Sequence, residues 1–156
     1  MWRGGGRGYG TLVLVSLLAH FLFRPLLVQW PGTPDLLVGG LLLAALRLRA
    51  GGAAALGAVL GLLEGAMALE GLGSLTLVFT VSAYLAARSR DVIFTDLRVF
   101  LPLYLFFGVW VTELAVSLAS GTPPGWHAGL VLMPLTAAST AVLGWLGVRL
   151  VTPLVY

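Results

Sequence analysis

A succession of long apolar segments, separated by Pro/Gly turns and short arginine pairs, is the feature that most constrains this chain. The segments are too long and too numerous to form one buried core in a soluble domain of 156 residues. Only 10% of the residues are charged, whereas an ordinary soluble domain carries about 25%. The pattern therefore predicts an all-α, polytopic membrane protein.

Turn residues divide the apolar sequence into six predicted transmembrane helices within a single domain that covers residues 1–156. The approximate spans are 11–28, 35–48, 53–69, 74–87, 99–118 and 127–150. We expect a short flexible basic tail over residues 1–10 and an interfacial amphipathic piece over residues 91–98.

The second predicted span is too short to cross a bilayer unaided. The thirteen residues from Leu36 to Leu48 cover roughly 20 Å as a helix, against about 30 Å of hydrocarbon. Three explanations follow: its flanks reach out to the interface, the bilayer thins there, or the helix is buried among its neighbours.

The arginines predict an orientation with both termini in the cytoplasm. With six spans, the arginines of the amino tail, of the second and fourth connections and of the carboxyl end all fall on one side. Only Arg24 lies near the other side. The arginines are spread in short pairs along the chain, so the basic net charge of +3 gives no reason to expect nucleic-acid binding.

The third span carries small residues at four-residue spacing, which places them on one helical face. They are Ala53, Gly57, Gly61 and Gly65. In a bilayer such a face lets the backbone of another helix approach closely. Gly57, Gly61 and Gly65 are therefore candidates for partner binding or for helix packing, and packing within the chain is the favoured of the two.

Ionisable residues fall in the outer half of several predicted spans. Arg24, Asp35, Glu64 and Glu113 form a predicted intramembrane polar cluster, with His20 also in the outer half of the first span. A charge in lipid is unfavourable unless it faces protein or water, so we expect Arg24 to pair with Glu64 or Glu113.

The alternative is that each of these side chains extends toward the outer interface and places its charged group in water. We favour that alternative for Arg24 and for Glu70, but a site for Glu64 and Glu113. For Asp35 we favour a helix N-cap, because Asp is among the preferred residues at that position.

Motifs of enzyme active sites are missing from the sequence. There is no HExxH, no Walker loop and no Ser/His/Asp arrangement, and no Cys that could provide a thiolate ligand. His20 and His127 are isolated, and nothing beside the carboxylates provides a nucleophile or an electrophile. We expect a protein that is not an enzyme and that holds no cofactor or metal.

The second to fourth helices carry an ordered set of motifs. Pro34-Asp35-Leu-Leu opens the second helix, Gly57-x-x-x-Gly61-Leu-Leu-Glu64 lies in the third, and Leu72-Gly73 follows. This set resembles the MreD family of bacterial rod shape-determining membrane proteins, which has G-x-x-x-G-L-x-D in the third helix. Glu64 stands where that family more often has Asp. The remaining helices match the family only in hydropathy and length.

The resemblance implies a non-enzymatic scaffold of the cell-elongation machinery, which makes peptidoglycan, in the bacterial inner membrane. Similar proteins partner MreC, a single-span protein, and act with the MreB filament, a RodA-type glycosyltransferase and a transpeptidase penicillin-binding protein. Because the predicted loops are short, contacts with these partners and with membrane lipid would be made mainly through helix faces.

The MreD family is also similar in fold to the substrate-binding subunits of energy-coupling-factor vitamin transporters, which are six-helix proteins. A subunit that binds a vitamin-like small molecule is therefore the alternative function. Against it, the first span lacks an Ala-x-x-x-Ala docking ridge and the outer loops are too short to cover a pocket well. A small channel is a weaker third interpretation, because no repeated motif or pore ring is visible.

Overall fold

A computed structural model of the chain describes residues 6–27, 32–68, 71–93, 97–121 and 124–151. Within these ranges the protein is all-helical, as predicted, with six α-helices and no strand. The helices are α1 (Gly6–Leu27), α2 (Leu36–Ala45), α3 (Ala50–Ala68), α4 (Leu72–Ile93), α5 (Leu97–Ala119) and α6 (Met133–Val151). A π-helical turn, Ala128–Leu132, leads directly into α6.

Four of these helical segments are long and apolar enough to cross a membrane, by length and composition. They are Ala50–Ala68, Leu72–Ser89, Phe100–Ala119 and Ala128–Leu150. The described parts of α1 and α2 provide shorter apolar stretches, Gly10–Phe23 and Leu36–Ala45. The predicted number of helices is confirmed, and four of the six meet the length and composition expected of a membrane span.

Helix α2 is the centre of the bundle, because it packs against all five other helices. Every residue of α2 after Leu36 is buried. Its residues are apolar or Gly on all sides, which is the composition of an enclosed helix. Of the three explanations for the short second span, burial among neighbouring helices is the one that the structure shows.

Helices α3 and α4 form an antiparallel hairpin whose backbones are in direct contact along the glycine face of α3. A Cβ atom added at Gly61 would lie 2.5 Å from the Cα of Thr76, and one at Gly65 would lie 2.7 Å from the Cα of Leu72. A Cβ at Gly57 would meet a backbone carbonyl of α4. Glycine at these positions is what allows the close approach.

Two predicted boundaries are wrong. Helix α1 begins at Gly6, so the second half of the predicted flexible tail is helical. Helix α4 continues to Ile93 and α5 begins at Leu97, so the described residues of 91–98 belong to these two helices and do not form a separate piece. The physical reason is that hydropathy marks where a segment becomes polar, whereas a helix continues until a capping or breaking residue ends it.

Candidate functional site

Asp35 lies immediately before α2 and caps its N-terminus. Its Oδ1 atom accepts hydrogen bonds from the backbone N–H groups of Leu37 and Val38, each at 3.0 Å. These are two of the backbone donors that the start of a helix leaves without an intrahelical acceptor. The favoured interpretation of Asp35 as a helix cap agrees with this geometry, because the carboxylate is held by α2 itself.

Helix α6 also contacts the segment that leads into α2. The backbone N–H of Asp35 donates to Oγ1 of Thr140 at 2.8 Å, and this hydroxyl donates in turn to the Thr136 carbonyl at 2.7 Å. The Ser139 hydroxyl lies 2.9 Å from the Gly32 carbonyl oxygen, to which it donates. Two hydroxyl side chains of α6, Ser139 and Thr140, therefore hold the segment that leads into α2.

His20 on α1 lies between two carboxylates from different helices. Its Nδ1 atom is 3.8 Å from Oδ1 of Asp35, and its Nε2 atom is 3.5 Å from Oε2 of Glu64 on α3. A protonated imidazole carries an N–H on each ring nitrogen and can interact with both carboxylates, whereas a neutral one has a single N–H. The ring therefore joins α1, the start of α2 and α3.

The two side chains of the closer pair are largely shielded from solvent, with 14% of His20 and 13% of Glu64 exposed. Charge interactions are screened much less in such surroundings than at a surface. The two atoms do not form a hydrogen bond at this distance, so the contact between His20 and Glu64 is a close polar approach of α1 to α3.

Glu113 on α5 completes the acidic side of the cluster. It is partly buried and lies three residues after Trp110, whose indole N–H donates to the Gly129 carbonyl in the π-helical turn that leads into α6. Asp35 and Glu64 each lie beside one of the two ring nitrogens of His20. Like charges at short range repel each other, and an imidazole in its protonated form between Asp35 and Glu64 offsets part of that repulsion.

The structure thus brings together three members of the predicted polar cluster, namely Asp35, Glu64 and Glu113. The fourth member, Arg24, is a backbone position within α1, but its side chain lies outside the described residues. The predicted pairing of Arg24 with Glu64 or Glu113 lies outside them as well, and so does Glu70.

The sequence analysis predicts no partner for His20. In the structure His20 lies between the carboxylates of Asp35 and Glu64. The sequence does contain one indication that His20 belongs to the polar cluster. His20 and Arg24 are four residues apart and therefore share one face of α1. The other histidine, His127, is exposed just before the π-helical turn.

The glycine candidates have a structural role in this bundle. Gly57, Gly61 and Gly65 are buried, and their common face is filled by α4 of the same chain. The face is therefore used for packing within the chain, which is the favoured of the two roles considered from the sequence. Any surface that α3 offers to another protein must be a different one.

The class of protein follows from these features together. Four membrane-length apolar helices, packed around a buried central helix with ionisable groups enclosed at one end, form the architecture of a helical membrane protein. Within the described residues, no group of three or more His, Asp or Glu side chains could hold a metal ion. Among known proteins, no family model, no curated protein and no solved structure matches this chain.

Proposed function

We propose that this chain is a non-enzymatic scaffold subunit of the bacterial cell-elongation complex, in the manner of MreD, within the cytoplasmic membrane. In this role it binds an MreC-like single-span protein through its helix faces. Wall synthases, namely a RodA-type glycosyltransferase and a transpeptidase penicillin-binding protein, associate with the same assembly.

One observation carries this proposal: three residues of the motifs that resemble the MreD family hold helices in place. Asp35 caps α2, Gly61 receives the backbone of α4, and Glu64 lies against His20 of α1. Residues used in this way make a bundle of fixed shape. A fixed shape is what a scaffold needs, because partners then dock on an already organised surface at a lower entropic cost.

The outward face of α3 is the partner surface that this proposal favours. Because α4 fills the glycine face, large apolar side chains of α3 are exposed on its other sides. They are Val59, Leu62, Leu63 and Met67. Their spacing of three and four residues places them along one stripe of the helix. A second transmembrane helix can pack against such a stripe inside the bilayer.

The test is affinity capture of the tagged chain from native membranes, followed by detection of an MreC-like protein. A V59W/L63W variant changes the shape of the α3 stripe while keeping it apolar. An L77W/V81W variant makes the same change on the exposed side of α4 and is the matched control. We expect capture to be lost only in the α3 variant. Equal capture by both variants, or no MreC-like protein with the unmodified chain, contradicts the proposal.

The alternative function, a vitamin-binding subunit of an energy-coupling-factor transporter, is favoured by one observation. His20, Asp35 and Glu64 meet from three places in the fold, and Glu113 on α5 lies toward the same end of the bundle, three residues after Trp110. Convergent polar groups among apolar helices are typical of small-molecule sites. Ligand-induced thermal stabilisation of the purified chain by a vitamin, together with capture of an ATPase module, would favour this function over the scaffold.

A further inference from the structure

The packing directions of the helices place four arginines at the same end of the bundle. Helix α4 runs antiparallel to α3, since Gly61 faces Thr76 and Gly65 faces Leu72. Helix α6 runs parallel to α2, since Asp35 contacts Thr140 and Leu43 approaches Gly144 further along both helices. The C-terminal ends of α2, α4 and α6 and the N-terminal end of α3 therefore lie together. The arginines found there are Arg47, Arg49, Arg88 and Arg149, and all four are exposed.

In the part of the chain that the structure describes, acidic and basic side chains lie at opposite ends of the bundle. The acidic side chains that the structure describes lie at the end opposite to these arginines. Asp35 and Glu64 lie on either side of His20, and Glu113 follows Trp110, which contacts Gly129 before the start of α6. One further acidic residue, Asp91, lies in the last turn of α4 at the arginine end, and its side chain is outside the described residues. The arginine end therefore presents a surface of predominantly positive charge.

Apolar side chains adjoin these arginines along the helices. Leu48, Leu85 and Leu150 are exposed within a few residues of them. On α6 the guanidinium of Arg149 lies over the Trp145 ring, 5.1 Å from its centroid. An aromatic ring beneath a guanidinium at the end of an apolar helix is the arrangement found where a helix leaves the hydrocarbon for the headgroup layer.

We propose that the arginine end, defined by Arg47, Arg49, Arg88 and Arg149, is a binding surface for anionic phospholipid headgroups. Guanidinium groups bind phosphate oxygens in a bidentate geometry, and basic residues next to the membrane attract anionic lipids. The adjoining leucines contact the acyl chains of the same lipid molecules. A soluble phosphate cannot use that apolar contact, which favours a lipid as the occupant. This inference does not depend on the scaffold function.

The experiment measures binding of phosphatidylglycerol and phosphatidylcholine to the purified full chain in detergent, by native mass spectrometry. We expect a preference for phosphatidylglycerol of about tenfold, given the attraction of several basic residues to an anionic headgroup. An R47Q/R49Q/R88Q/R149Q variant should bind the two lipids about equally. An R47K/R49K/R88K/R149K variant keeps the charge and should retain most of the preference.

Circular dichroism verifies that the variants are folded. If the fourfold Gln variant does not fold, R47Q/R49Q and R88Q/R149Q are measured separately, and each should lose part of the preference. Equal binding of both lipids by the unmodified chain overturns the proposal, as does an undiminished preference in folded Gln variants. Displacement of phosphatidylglycerol by inorganic phosphate, or binding of a polyglutamate peptide without a lipid preference, assigns the surface to a soluble anion or an acidic protein and also overturns it.

Discussion

Nε2 of His20 lies 3.5 Å from Oε2 of Glu64, and this pair links the first and third helices across the turn that begins the second. The other ring nitrogen of His20 faces Asp35. A single imidazole thus stands between two carboxylates in surroundings where water is largely excluded. Removing it takes away the polar group that lies beside both carboxylates.

We expect His20→Leu to lower the free energy of unfolding by about 1–3 kcal/mol, since the polar imidazole beside the Asp35 and Glu64 carboxylates is replaced by an apolar group. The H20L/E64L double variant should recover part of this loss, because replacing both partners by apolar groups avoids the unpaired group. Thermal unfolding followed by circular dichroism gives the comparison. His127→Leu is the matched control, because His127 is exposed. Equal losses for His20→Leu and His127→Leu would contradict a role for the buried pair.

A second prediction separates the helix cap from the negative charge at Asp35. Asp35→Ala removes the acceptor for the Leu37 and Val38 amides and should lower stability by about 1–2 kcal/mol. Asp35→Asn keeps a side-chain oxygen for the cap and should retain most of that stability. If Asp35→Asn is as damaging as Asp35→Ala, the charge facing His20 matters more than the cap. The comparison uses the same unfolding measurement.

A third prediction concerns the contact between α3 and α4. Gly61→Ala places a Cβ against the α4 backbone, and we expect a loss of about 1–3 kcal/mol because the two helices must separate. Gly73→Ala is the matched control in the same hairpin, since nothing lies within 4 Å of the added Cβ there. Alanine is a better helix former than glycine, so the control should be neutral or slightly stabilising. A Gly61→Ala variant as stable as the control would contradict the tight contact.

A fourth prediction tests orientation in the membrane, for which the absence of Cys from the chain is convenient. Gly51→Cys lies at the arginine end and Ser120→Cys at the opposite end, and both positions are exposed. With the arginines in the cytoplasm, a membrane-impermeant maleimide should label Ser120→Cys in intact spheroplasts. It should label Gly51→Cys only after the membrane is opened. The reverse labelling pattern would invert the predicted topology.

Hydropathy and turn residues located most of the helices but not their place in the bundle. The spans predicted at 53–69 and 99–118 correspond to Ala50–Ala68 and Leu97–Ala119. The sequence leaves burial of α2 as one of three explanations for its shortness, because a helix that is apolar all round looks alike whether lipid or protein surrounds it. The early start of α1 and the extension of α4 were missed because polar residues can continue a helix beyond its apolar part.

For the candidate site, too, the sequence predicts some features and leaves others to be determined by helix packing. Sequence order and span boundaries are enough to place Asp35, Glu64 and Glu113 in the same half of the membrane. They do not determine the rotation of each helix about its axis, which decides which side chains meet. That rotation is set by contacts such as Gly61 with the α4 backbone and Asp35 with Thr140. The place of His20 between two acids depends on these packing contacts.

The enclosure of α2 has a consequence for biosynthesis. Its 10 residues rise about 15 Å, half of the hydrocarbon thickness, so the segment cannot leave the translocon as an independent stop-transfer unit. Its integration must be cooperative with the flanking α1 and α3, and completion of the bundle around it waits for the last helix to be translated. Truncating the chain before α6 should therefore expose α2 to quality-control proteases, even though every residue of α2 itself is still present.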